Sequence, residues 1–473
     1  MTGKRLISRI LFIAFIANLL PAMTGAQDTY TEAQLKQFNL ECDKVGLLKG
    51  KGMMFDQSER LIQVPEDMDL DWMGDVDVAS TAPEIEFAPV RGMEPEYFPE
   101  DERGYWSNFG DVTQGPNGRY YFAVADHRGR HGNSYAFEYD PVVCDYSKII
   151  DFGKLCGWKE RGVGDGKIHG EMGVMPDGGL WALTYWDPMP WSTDEDYAKW
   201  PGSHIVRYDT FSGKAENLGI PMPKSGWPYY TLDKMRGNFC AVGKRGEILN
   251  YDVNKRQVTY AGYPPEGIDW WMRCTMLDPE TGLFWSCTKD APHNLVSYNP
   301  STNEFIKHDS KTPIDLGRSA GTNCRIRAHS ERRTSEGFIW VNSERGTLYK
   351  FWPDEVRTEI AGHLWADYTY SPRISMSPDE RYLYYVANTK RSDYRYKPIV
   401  QYDTKTGRRK VLAFIADYYF EKYGYRFGSM HGSTLSQDGT TLVMVFNGSF
   451  LPRDVSGQST PSLVVLHIPE SER

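Results

Sequence analysis

A short phrase, an apolar strand that ends in Tyr-Asp before a polar turn, returns along the chain and constrains the fold more than any other feature. It reads Ala136–Asp140, Ile205–Asp209, Ile248–Asp252 and Ile399–Asp403, with close variants at Leu295–Asn299 and Leu348–Trp352 and a degenerate copy at Val464–Ile468. Successive copies lie about 43 to 69 residues apart, the length of a four-stranded propeller blade once loop insertions are allowed. Upstream of most copies stands a tight-turn sequence between two strands, as at Pro176–Gly179, Asp278–Gly282, Ser377–Glu380 and Gln437–Gly439. Pro fixes φ and Gly accepts positive φ, so these are hairpin turns. Each unit reads as inner strand, turn, second strand, loop, Tyr-Asp strand, turn, outer strand. The predicted fold is all-β, a seven-bladed β-propeller closed by an N-terminal strand.

The last unit ends at the chain terminus without an outer strand and would leave an unpaired edge. Leu61–Val64, which lies outside the seven units, is the strand expected to complete it. Helical periodicity is nearly absent, its clearest candidate being Tyr30–Phe38. Lys4, Arg5 and Arg9, the apolar run Ile10–Leu20 and the small residues Thr24–Ala26 read as a secretory signal over 1–26. Residues 27–100 are then an N-terminal segment carrying the closing strand, and 101–473 the propeller. No later apolar run is long enough to span a bilayer. The expected product is soluble, periplasmic or secreted, with no membrane association after signal removal.

The net charge of -9 argues against a nucleic-acid partner held by bulk electrostatics. An acidic ligand would need local arginines. Seven cysteines without a C-x-x-C pair leave at least one thiol free or on a metal, and Cys144 with Cys156 could close a local disulfide.

In a propeller the inner strand starts at the face where second and third strands are joined, so both segments line one mouth of the channel. The inner-strand starts are Lys167–Gly170, Trp227–Tyr230, Trp270–Cys274, Thr322–Arg325, Ser371–Arg373 and Ser429–Gly432. The joins include Asp126–His131, Tyr185–Pro188, Gly243–Arg245, Asp290–His293, Ser343–Arg345 and Asn388–Arg391. These segments are rich in His, Arg, Tyr and Trp, whereas the opposite turns carry Asp, Gly, Pro and Ser. Guanidinium forks bind carboxylate or sulfate and aromatic rings stack on sugars, so the mouth suits an anionic polysaccharide. His127, Arg128, Tyr185, Trp186, Trp271 and Arg273 are the expected substrate contacts. A hydrogen-bonded cap over the channel is the plainer alternative. The inserted segment from Tyr185 to Gly202, with Trp186, Trp191 and Trp200, is long enough to wall a groove.

The signal, the seven blades, the Lys167–Gly170 start, the Tyr229–Tyr230 pair and the Arg245 loop together resemble the seven-bladed propeller polysaccharide lyases, most closely the ulvan lyases. The resemblance implies β-elimination on a uronate-containing, sulfated glycan. One group neutralises the uronate carboxylate, a base removes the C5 proton, and an acid protonates the leaving oxygen at C4. Arg245 would be the neutraliser, and His169 with Tyr229 or Tyr230 the proton carriers. Neighbouring strand residues point opposite ways, so only one tyrosine faces the cleft. The resemblance also implies a structural zinc, for which Cys287, His293 and Cys324 are the candidate ligands; no organic cofactor is expected. The competing readings are a glycan-binding platform, a lactonase-like hydrolase and a metal-dependent enzyme resembling the oligogalacturonate lyases.

Overall fold

Every repeated aspartate ends a strand because its carboxylate closes the turn that follows. Asp209 Oδ1 accepts from the backbone N–H groups of Phe211 and Ser212 at 3.1 and 2.8 Å. Asp252 does the same for Asn254 and Lys255, and Asp403 for Lys405 and Thr406. The tyrosine before each one turns inward, and Tyr208, Tyr251, Tyr298 and Tyr402 are buried between sheets.

The computed structural model describes residues 53–66, 68, 76–90, 106–126, 132–158, 162–186, 193–317, 323–365, 369–389, 397–450 and 460–473. The expected signal, Tyr30–Phe38, His127 and Arg128 lie outside them. Each copy of the phrase forms the third strand of a blade whose consecutive strands pair antiparallel, and seven such blades make a seven-bladed β-propeller; in blade 6 Val76–Val78 adds a parallel strand outside Arg409–Phe414. Blade 1 runs from Thr113–Gln114 to Asp145–Asp151, blade 2 from Gly173–Val174 to Lys214–Asn217, and blade 3 from Tyr229–Asp233 to Gln257–Gly262. Blade 4 runs from Met276–Leu277 to Glu304–Lys311, blade 5 from Ile326–His329 to Arg357–His363, and blade 6 from Ser375–Met376 to Arg409–Phe414. Blade 7 takes Arg426–Leu435, Thr441–Ser449 and Ser462–His467 from the end of the chain.

An N-terminal strand closes the ring, but Leu61–Val64 is not that strand. Glu84–Pro89 pairs antiparallel with Ser462–His467, and Met54–Gln57 adds a fifth strand outside it. Ser58 instead caps a short 3-10 turn, Glu59–Ile62, by accepting from Arg60 N, and this turn buries Leu61 in the apolar cluster of the last blade. The closing strand also latches the last blade to the first. Buried Glu86 accepts from Tyr139 Oη of blade 1 at 2.6 Å and lies 2.8 Å from His467 Nε2 of its own sheet. Tyr146 Oη donates to Pro89 O at 2.9 Å. Removing one partner of such a buried group costs about 3 kcal/mol or more, so the latch fixes the ring's register.

Cys144 and Cys156 are not bonded to each other, so the local disulfide does not form. Among the described residues no helix is long and apolar enough to cross a membrane.

Candidate active site

The inner strands bring one side chain from every blade to the same level of the channel. In blade order these are Phe109, His169, Tyr229, Arg273, Arg327, Tyr370 and His431. The Lys167–Tyr185 bridge sets this level at the mouth, where the start of an inner strand meets the end of the second.

Ring contacts run around much of the circle. Phe109 lies between His169 and His431, with centroids 5.7 and 4.7 Å away. His169 is 5.5 Å from Tyr229 and 6.0 Å from Tyr185, and His431 is 6.0 Å from Tyr370. Arg327, fully enclosed, donates from Nη1 to Tyr229 Oη and from Nε to Tyr370 Oη at 2.7 Å. From the next level, the Arg373 guanidinium lies 6.0 Å from the centre of the Tyr229 ring. Arg273 is half-buried and has no hydrogen-bond or ion-pair partner among the described residues.

The electrostatics follow from this crowding of cations. Burial, reinforced by Lys167, Arg273, His431 and Arg327, holds His169 well below the usual histidine range, so its imidazole is neutral. Burial and the arginines 327, 273 and 373 do the same to His431. The Nδ1 atoms of both histidines are enclosed without a hydrogen-bond partner. Burial raises the Tyr229 phenol despite the opposing pull of Arg327 and Arg373, so it carries its proton at neutral pH.

The two tyrosines have parted as strand alternation demands. Tyr229 faces the channel. Tyr230 is buried in the core between blades, against Phe239 at 5.3 Å, and its hydroxyl has no partner.

Several expected site residues lie elsewhere or are already engaged. Arg245 is half-exposed in its loop and held by Glu247 at 2.6 Å and by Lys224 O at 2.9 Å. Among the described residues no contact joins it to Tyr229 or His169. Tyr185 does join the cluster, with Lys167 Nζ 5.4 Å from its ring centre. Trp186 instead packs with Val163 and Trp200 in a small core of the inserted segment, 2% exposed, and offers no free face to a sugar. Trp271 is buried, donates to Ile326 O at 3.0 Å and carries the Arg325 guanidinium 4.1 Å above its ring.

The expected zinc ligands do not fit a metal ion. Cys287 and Cys324 sit with Cys274 in an apolar cluster beside Trp285 and Tyr349, and burial pushes the Cys287 and Cys274 thiols up to about 12. His293 Nδ1 is 2.9 Å from Thr288 O. Among the described residues no three His, Cys, Asp or Glu side chains converge as a metal requires.

Phe109, Arg327 and Tyr370 were not legible from motifs. The signal that finds them is register: they occupy the level of His169 in blades whose local sequence is unlike Lys167–Gly170.

No family model matches the chain, and no curated protein matches it. Among solved structures, the extracellular domain of BT4673 from B. thetaiotaomicron is similar, at 11% sequence identity and a TM-score of 0.48. The match covers 77% of this chain and 38% of that one, so this chain spans well under half of its length.

Proposed function

We propose that the protein is an exported polysaccharide lyase that cleaves a uronate-containing, sulfated, ulvan-like glycan by β-elimination. The observation that carries the reading is the contact of neutral His169 with Tyr229, whose phenol is bonded to Arg327, under the field of Arg273, which has no ion-pair partner among the described residues.

Arg273 takes the uronate carboxylate, which makes the C5 proton acidic. His169 removes that proton, the C–H electrons form the C4–C5 double bond, and the C4–O4 bond breaks toward oxygen. Tyr229 gives its proton to O4. The phenolate left behind faces Arg327 and Arg373, which already surround it. The incoming carboxylate offsets the positive charges that depress His169, so substrate binding itself strengthens the base. Arg245 is a rim contact on this reading, and no step requires a metal.

The test is to incubate the protein with ulvan, pectate, alginate and glycosaminoglycans and follow the ultraviolet absorbance of the unsaturated uronate. Silence on all of them sinks the lyase reading and leaves a binding platform. Chelation should leave turnover unchanged, whereas a metal-dependent elimination would stop.

A further inference from the structure

Two residues further along five of the inner strands, the channel changes character. The level of Phe109, His169, Tyr229, Arg327 and His431 gives way to Asp111, Glu171, Thr231, His329 and Ser433, because alternate strand residues share a face. Here a cavity of about 300 Å³ opens among the turns joining first and second strands, on the face opposite the candidate active site.

Four carboxylates line it, those of Asp111, Glu171, Asp233 and Glu331. Against them the enclosed part of the wall sets one guanidinium, Arg373, whose Nε lies 2.6 Å from Asp111 Oδ2, close but off the line of a hydrogen bond. His329 is held neutral by burial, Lys234 stands exposed at the rim, and Asp233 is paired with Arg236 at 3.1 Å. Burial raises Asp111 to about 7 against the pull of Arg373, and burial raises Glu331 too, with Glu171 adding to both. Independently of the carboxylates, the Ser433 hydroxyl on the wall is buried without any hydrogen-bond partner, which an enclosed polar group normally has. Leu232, Leu277 and Ile374 supply apolar wall between these groups.

We propose that this cavity binds a small aliphatic amine, its ammonium group among Glu171, Asp111 and Ser433 and its alkyl stem along Leu232 and Ile374. An organic cation fits better than a metal ion, since no three ligating side chains among the described residues converge on one point. The proposal stands whether or not the opposite mouth is a lyase site.

The experiment is calorimetric titration of the full chain with n-butylamine, with n-butanol as the neutral isostere, in two buffers of different ionisation heat. Saturable binding of the amine, with proton release because the ammonium displaces carboxyl protons, is expected. Butanol should not saturate. Glu171→Gln should weaken the amine at least about tenfold, the loss of one charged contact, and Ser433→Val should weaken it less. Absence of saturation, equal binding of butanol, or unchanged affinity in Glu171→Gln would each overturn the proposal, as would calcium binding that the amine cannot displace. Should Glu171→Gln fail to fold, Ser433→Val and the butanol comparison still decide.

Discussion

The two levels of the channel are two residues apart on the same strands, yet their chemistry is opposite. The upper one gathers Arg273, Arg327, two neutral histidines and aromatic rings, while the lower one gathers Asp111, Glu171 and Glu331 around a single buried guanidinium. A propeller can hold both because strand alternation makes each inward level an independent ring, one side chain per blade. Arg373 is the joint between them, reaching Asp111 below and the Tyr229 ring above. The two levels therefore present opposite electrostatic environments within one chain, although the chain as a whole is acidic.

The comparison breaks most visibly in turnover. Tyr229→Phe and His169→Gln should each lower β-elimination by about 10²–10⁴-fold, the usual worth of a positioned proton carrier, whereas Glu171→Gln one level down should leave it near wild type. Equal losses in all three would mean that the levels are not separate. Next in size, Arg273→Gln should raise KM and lower kcat/KM by roughly tenfold to a hundredfold, as expected for loss of a charge-assisted contact. Arg245→Gln should do less, because Glu247 already holds that guanidinium.

The pH dependence sharpens the contrast. The base works unprotonated and His169 is depressed, so the acid limb of kcat/KM should fall below the ordinary histidine range, near 6.5. The acid works protonated and Tyr229 is raised, so the alkaline limb should lie above 10. For stability the lower level acts in the opposite sense to an ordinary salt bridge. Asp111 is raised in the folded protein, which then binds more protons than the unfolded chain between about 3.8 and 7, so its cost to stability grows as pH rises through that window. Thermal melts should show Asp111→Asn gaining on wild type from pH 5 to pH 8. A gap that shrinks over that range would reverse the assignment. Smallest of all, Tyr230→Phe should leave turnover near wild type, since its ring is packed between blades against Phe239 and away from the channel.

The blades were legible because an aspartate that closes a turn by accepting backbone hydrogen bonds leaves the same mark each time, as at Asp209, Asp252 and Asp403. The closing strand was misplaced for the converse reason. Glu84–Pro89 carries no such mark, while Leu61–Val64 looks strand-like until Ser58 caps it into a helical turn. That His169, Tyr229 and Tyr185 lie together at the mouth followed from blade register. Arg245 looked equally suitable, but two residues later stands Glu247, buried and aimed back at it. Trp186 and Trp271 show the limit of reading aromatics from sequence, because only packing tells a stacking platform from a core residue. The thiols near Cys287 show the same for metals: residue types were suitable, but among the described residues no three His, Cys, Asp or Glu side chains converge on one point.

On the proposed function the upper level performs proton chemistry on a uronate, with Tyr229 and His169 as its carriers. Wild type, Tyr229→Phe and Tyr230→Phe, each incubated with ulvan and followed by the absorbance of the unsaturated uronate, test it most directly. Product from wild type and Tyr230→Phe, with none from Tyr229→Phe, is the predicted result. Product from all three at equal rates, or from none on any uronate glycan, would contradict it.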